Sequence, residues 1–89
     1  MAKYIKKPVA VEAIEWTGDN LDEIVAFTNR GAWSLGLTSV IIKTLEGYEV
    51  IVPLGDMIIK GVKGECYPCK SNIFKLTYWT ESEYAESNL

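Results

Sequence analysis

The sequence predicts an α+β fold: a small, strongly bent antiparallel sheet of about five strands, with one main helix and a short carboxy-terminal helix packed against it. Three observations predict it. Short β-branched runs alternate with Gly- and Pro-containing turns. One stretch, residues 20–31, repeats apolar residues at helical spacing. Strands follow one another in runs, without the regular alternation with helices that a parallel sheet needs. At 89 residues and 48% apolar composition, the chain can fill one modest core and no more. Residues 1–80 are therefore read as a single domain, and residues 81–89, ESEYAESNL, as an acidic, loosely ordered tail.

In chain order, PVAVEAIEW reads as a strand. Val9, Val11 and Ala13 share one face while Ile14 and Trp16 fall on the other, which predicts a β-bulge near Ala13. GDNLDEIVAFTNRG is the main helix: Leu21, Ile24, Val25 and Thr28 form its apolar stripe, Asn20 and Glu23 a box-like cap, and Gly31 its stop. Asp22, Glu23 and Asn29 belong to its solvated face. AWSLGLTS shows no clear period and reads as a loop anchored by Trp33. SVIIKT and YEVIVP form a hairpin through Leu45, Glu46 and Gly47, and Pro53 closes it into a turn through Gly55 and Asp56. The Asp56 carboxylate is expected to cap nearby backbone amides.

MIIK and ECY make a second hairpin through Gly61, Val62, Lys63 and Gly64, whose glycines supply positive φ. GVKG lacks the spacing and the Lys-Ser/Thr ending of a phosphate-binding P-loop and precedes a strand, so it is a turn. SNIFKLTYW begins with Ser71 as N-cap and places Ile73, Phe74, Thr77 and Tyr78 on one side of a short helix.

A net charge of −3 with nine Lys and Arg residues gives no overall field toward nucleic acid or an anionic membrane. Lys3, Lys6, Lys7 and Pro8, beside Tyr4, read as guards of an edge strand rather than as a nucleic-acid patch. No apolar run approaches the roughly 20 residues of a membrane span, and a cytoplasmic protein with free thiols is expected. Cys66 and Cys69 form a C-x-x-C, which is half of a zinc site in a chain with no histidine. A symmetric dimer or nearby carboxylates would have to complete it. A dithiol beside Lys70 is a further alternative, and plain structural cysteines are the reading preferred. The lack of histidine removes the commonest general base, and nothing in the spacing of Glu12, Glu15, Asp56 and Glu65 brings two acids together. Neither catalysis nor a cofactor is expected.

Three stretches, KYIKKPVAVEAIEWTGDNLDEI, VIIKTLEG and GDMIIKGVKGECYPCKSNIFKLTY, run nearly end to end. They resemble a widespread family of small bacteriophage and prophage proteins with a Gly-Asp-aromatic, Lys-Gly-Val-Lys-Gly-Glu and Tyr-Pro-Cys-Lys signature. Met57 stands where the resemblance implies an aromatic, and so does Cys66, which makes the C-x-x-C an accident of this chain. The resemblance implies origin rather than activity.

Aromatic residues make up 11% of the chain, and aromatics beyond those a small core can hold are what interfaces use. The expectation is a non-enzymatic phage accessory protein in the bacterial cytoplasm that binds and modulates a host protein, in host takeover or counter-defence. A small-molecule binder, such as one sequestering a nucleotide, is the alternative, with Trp16, Trp33 and Tyr67 to stack a base and Lys63 on the glycine turn near a phosphate. A minor virion or morphogenesis component is a third. Because YEVIVP is apolar on both faces and TSVIIKT is read as an edge with Lys43 as its one gatekeeper, a homodimer burying part of this hairpin is also expected.

Overall fold

The computed structural model of the protein describes residues 2–5 and 7–87. Their elements follow in the order β1 (Glu12–Glu15), α1 (Leu21–Thr28), β2 (Ala32–Leu35), β3 (Ser39–Lys43), β4 (Glu49–Val52), β5 (Met57–Lys60), β6 (Cys66–Cys69), α2 (Ser71–Thr77) and α3 (Glu81–Ser87). The class is α+β. The single bent sheet, however, is replaced by two three-stranded antiparallel sheets, β1–β5–β6 and β2–β3–β4. The chain starts the first sheet with β1, inserts α1 and the whole second sheet, and returns to finish the first with β5 and β6.

Both expected hairpins form, and their turns have the same geometry. The Thr44 N–H donates to the Tyr48 carbonyl at 2.8 Å and the Gly47 N–H to the Thr44 carbonyl at 3.0 Å; Gly61, Glu65 and Gly64 repeat the pattern at 2.8 and 3.0 Å. Each loop is three residues long and ends in a left-handed position, taken by Gly47 (φ 89°) and Gly64 (φ 79°). Gly61 is not a positive-φ residue: the Glu65 side chain lies where its Cβ would be, so here glycine leaves room.

Four expectations at the ends of elements are corrected. Residues 8–11 are not strand, because β5 turns into its loop just past Lys60, the partner of Glu12, and leaves no backbone for them to pair with. Pairing from Glu12↔Lys60 to Glu15↔Met57 is continuous, so there is no bulge at Ala13; Ile14 and Trp16 simply face the core while Val9 and Ala13 face solvent. Lys3, Lys7 and Pro8 thus lie outside the sheet, and Lys6 lies outside the described residues. AWSL is strand β2, which pairs with β3 and makes β3 a central strand, not an edge. The tail carries helix α3, begun by a capping box in which the Thr80 N–H donates to Glu83 Oε1 at 2.9 Å and the Glu83 N–H to Thr80 Oγ1 at 3.1 Å. The Thr80 N–H first, and then the Thr80 hydroxyl, hold the Glu83 carboxyl below its usual range. Residues 88–89 lie outside the described residues.

Helix caps also differ from the local reading. Asn20 makes no side-chain cap to α1; its Oδ1 accepts from the Thr17 N–H at 3.0 Å and its Nδ2 donates to the Glu15 carbonyl at 2.8 Å. Asn29, at φ 55°, stops the helix ahead of Gly31. Ser71 is the first residue of α2 rather than its cap, and its N–H donates to Asp56 Oδ1 at 3.4 Å. Asp56 therefore does cap an amide, though on a distant helix.

The core is one cluster of Trp16, Ile24, Val40, Ile42, Val52, Ile58 and Cys66, against which Ile14, Leu21, Phe27, Ala32 and Val50 pack. It lies between the inner faces of the two sheets, with α1 alongside. The opposite face of the first sheet, carrying Met57, Ile59 and Tyr67, meets α2: Met57 and Phe74 line one groove, and the Tyr67 phenol bonds to Tyr78. Phe74 and Tyr78 stack at 5.0 Å. Among the described residues no helix is long and apolar enough to cross a membrane.

Because Ile58 is fully buried in this cluster, Ile58→Ala is expected to cost about 2–5 kcal/mol in urea unfolding. Ile51→Ala, at a residue 56% exposed, is expected to change stability by no more than about 0.5 kcal/mol. Equal losses at the two positions would overturn the division into inner and outer faces.

Candidate functional site

The second sheet exposes an apolar face whose composition follows from strand alternation. Val40, Ile42, Val50 and Val52 point inward, so Ile41 and Ile51 point outward. The register places Trp33, Ile41 and Ile51 side by side on adjacent strands. Leu35 stands on the same face, opposite Ser39, and the pair Lys43↔Glu49 marks its charged end. Trp33 is 38% exposed and Leu35 43%. This is an apolar stripe with a polar rim, the arrangement found at protein contacts. Sequence reasoning had placed Trp33 in a loop and so missed its neighbours, although the alternation Ala32-Trp33-Ser34-Leu35 was a strand signal.

The four residues expected to bind are dispersed. Trp16 is 3% exposed in the core, with its indole N–H donated to the Thr38 carbonyl at 3.0 Å, so it has no free face for a base. Trp33 is on the outer face of the second sheet, Tyr67 is on the first sheet beside Tyr78, and Lys63 is exposed at the tip of the β5–β6 loop. No platform of Trp16, Trp33 and Tyr67 exists. The Tyr67 phenol is pushed up to about 12, first by burial and then by its hydrogen bond with Tyr78.

Cys66 and Cys69 lie three residues apart on β6, which puts their side chains on opposite faces of the first sheet. That geometry denies them a shared ion or an easy disulfide. Cys66 is a core residue, and burial pushes its thiol up; Cys69 is half-buried. Of the four acids considered, Glu15 and Asp56 line one open groove of about 520 Å³ together with Lys75. The sequence spacing had not brought these two together. Asp56 is engaged there with the Ser71 amide.

Comparison with family models, with curated proteins and with solved structures returns no match.

Thiol labelling tests the placement of β6. Near about pH 8, one thiol per chain, that of Cys69, is expected to react promptly, and Cys66 only after unfolding; two equal rates in the folded chain would contradict its geometry. Tyrosinate absorbance tests the Tyr67 pair. A phenol raised from 10 to about 12 binds its proton more tightly in the folded chain, so its contribution to stability is whole below about pH 10 and is lost as pH rises toward 12. Tyr78→Phe is expected to make Tyr67 ionise earlier; an unchanged titration would rule out the bond.

Proposed function

We propose that this chain is a non-enzymatic bacteriophage or prophage accessory protein that acts in the host cytoplasm by docking the outer face of β2–β3–β4 on a host protein. The observation that carries the reading is the row Trp33–Ile41–Ile51, extended by Leu35, in which Trp33, Leu35 and Ile51 are exposed and Ile41 is half-buried. Trp is a preferred anchor of interface hot spots, and apolar neighbours that exclude water around it are what give such an anchor its effect. A partner of matching chemistry presents an apolar pocket for Trp33 and a polar rim toward Lys43 and Glu49. The phage origin rests on the resemblance of the chain to that family, and modulation of a host target is the use this reading gives the exposed face.

Self-association is the competing use of the same surface, since a two-fold contact would stack Ile51 of one copy on the equivalent face of another. A photo-crosslinking residue at position 51 separates the two, with one at Asp22, on the exposed side of α1, as control. In host cells one discrete host-protein adduct is expected from position 51, none from position 22, and loss of the adduct on Trp33→Lys in a chain that still folds. An adduct of twice the chain's own mass would replace the host target with a homodimer. Identical adduct patterns from both positions would reject the face altogether.

A further inference from the structure

We propose that the cleft between the carboxy-terminal end of α1 and the β5–β6 loop is a binding site for a phosphoryl group, held by Arg30 and Lys60. The cleft has a volume of about 230 Å³ and is lined by Thr28, Asn29, Arg30, Lys60 and Gly64. It has room for a tetrahedral oxyanion and several waters at about 30 Å³ each.

Both cations are held by contacts that leave their charge uncompensated. Arg30 donates one guanidinium N–H to the Gly64 carbonyl at 2.7 Å, which orients the planar fork and leaves its other donors for a ligand. The Lys60 ammonium stands 4.6 Å from the centre of the Phe27 ring. A cation–π contact fixes its position without using its N–H donors. Among the described residues neither cation has a carboxylate within ion-pair distance. Against these two positive charges stand the end of α1, with roughly half a negative charge, Glu65, which acts on the Cys66 thiol alongside them, and Glu12, cross-strand from Lys60; neither carboxylate lines the cleft.

A second observation brings the two charges to one spot. Cys66, cross-strand neighbour of Lys60, is pushed up by burial, pulled back down by both Lys60 and Arg30, and raised to a smaller extent by Glu65. The Thr28 hydroxyl is buried and donates to the Val25 carbonyl at 3.4 Å, and the Asn29 N–H donates to the same carbonyl, so the two cations, with the Asn29 side-chain amide beside them, are what match a doubly charged group with three acceptor oxygens. A carboxylate would answer one of the two charges and supply two oxygens. The inference shares no residue with the docking face and stands or falls apart from it.

Calorimetric titration of the whole chain with inorganic phosphate, adenosine monophosphate and adenosine, each against sodium chloride of matched ionic strength, tests it. Saturable binding of phosphate and of the monophosphate is expected, with none for adenosine or chloride. Lys60→Met, which keeps an apolar stem against Phe27, and Arg30→Gln, which keeps a donor for Gly64, are each expected to weaken phosphate binding at least tenfold. Tighter binding of the monophosphate than of phosphate would identify a phosphomonoester as the source, and equal affinity the free ion. Equal heats from matched chloride, adenosine binding as tight as the monophosphate, or unchanged phosphate affinity in the folded Lys60→Met chain would overturn the site.

Discussion

Trp16 is the residue on which the arrangement of the two sheets depends. Its indole N–H reaches the Thr38 carbonyl in the turn between β2 and β3. Its own N–H donates to the Asp56 carbonyl at 3.0 Å, and its carbonyl accepts from the Gly55 N–H at 2.8 Å, both in the turn between β4 and β5. One side chain and one peptide segment thus tie the exit of the first sheet to two corners of the second, and the ring fills the space between them. Leaving either indole or backbone groups unpaired inside this junction would cost the desolvation penalty of each buried polar group.

From that tie follows which surfaces the protein has left to offer. Two three-stranded sheets have four faces; two face the core, and α2 lies against part of the outer face of the first sheet, at Met57 and Tyr67. The remaining one is the face of Trp33, Ile41 and Ile51. The chain is also elongated, 43 × 29 × 22 Å with a radius of gyration of 14.6 Å, against the roughly 12 Å of a compact chain of this length. Apolar side chains such as Tyr4 and Ile5, more than nine-tenths exposed, lie along its amino-terminal arm.

Elements with a local cause were legible in the sequence. The two hairpins were, because each turn needs a glycine at its left-handed position and the flanking β-branched runs favour strands. The α1 stripe was, because its period is local, although its two ends were set by the backbone of Asn29 and by Asn20 turning back to Glu15. Strand β2 was missed because its large residues face solvent and its small ones face inward, the reverse of the usual pattern. Trp16 was read as a ligand platform for the same kind of reason: nothing within a few residues of it reports that Thr38 and Asp56 will close over it. The pairing of Arg30 with Lys60 had no sequence signal at all, since it arises only when the end of α1 meets β5.

The inserted topology also dictates an order of assembly. Each hairpin can close on its own over a three-residue loop, a microsecond event in isolated chains, and α1 can form beside the second sheet without help from the first. Strand β1 has no such neighbour, because its partner β5 is reached only after the whole intervening unit is in place. Its docking is a non-local closure whose entropy cost must be met before its contacts count. The first sheet is therefore closed like a clasp: the pairing of β1 with β5 joins segments separated by α1 and the whole second sheet, and Trp16 is the residue that fastens it.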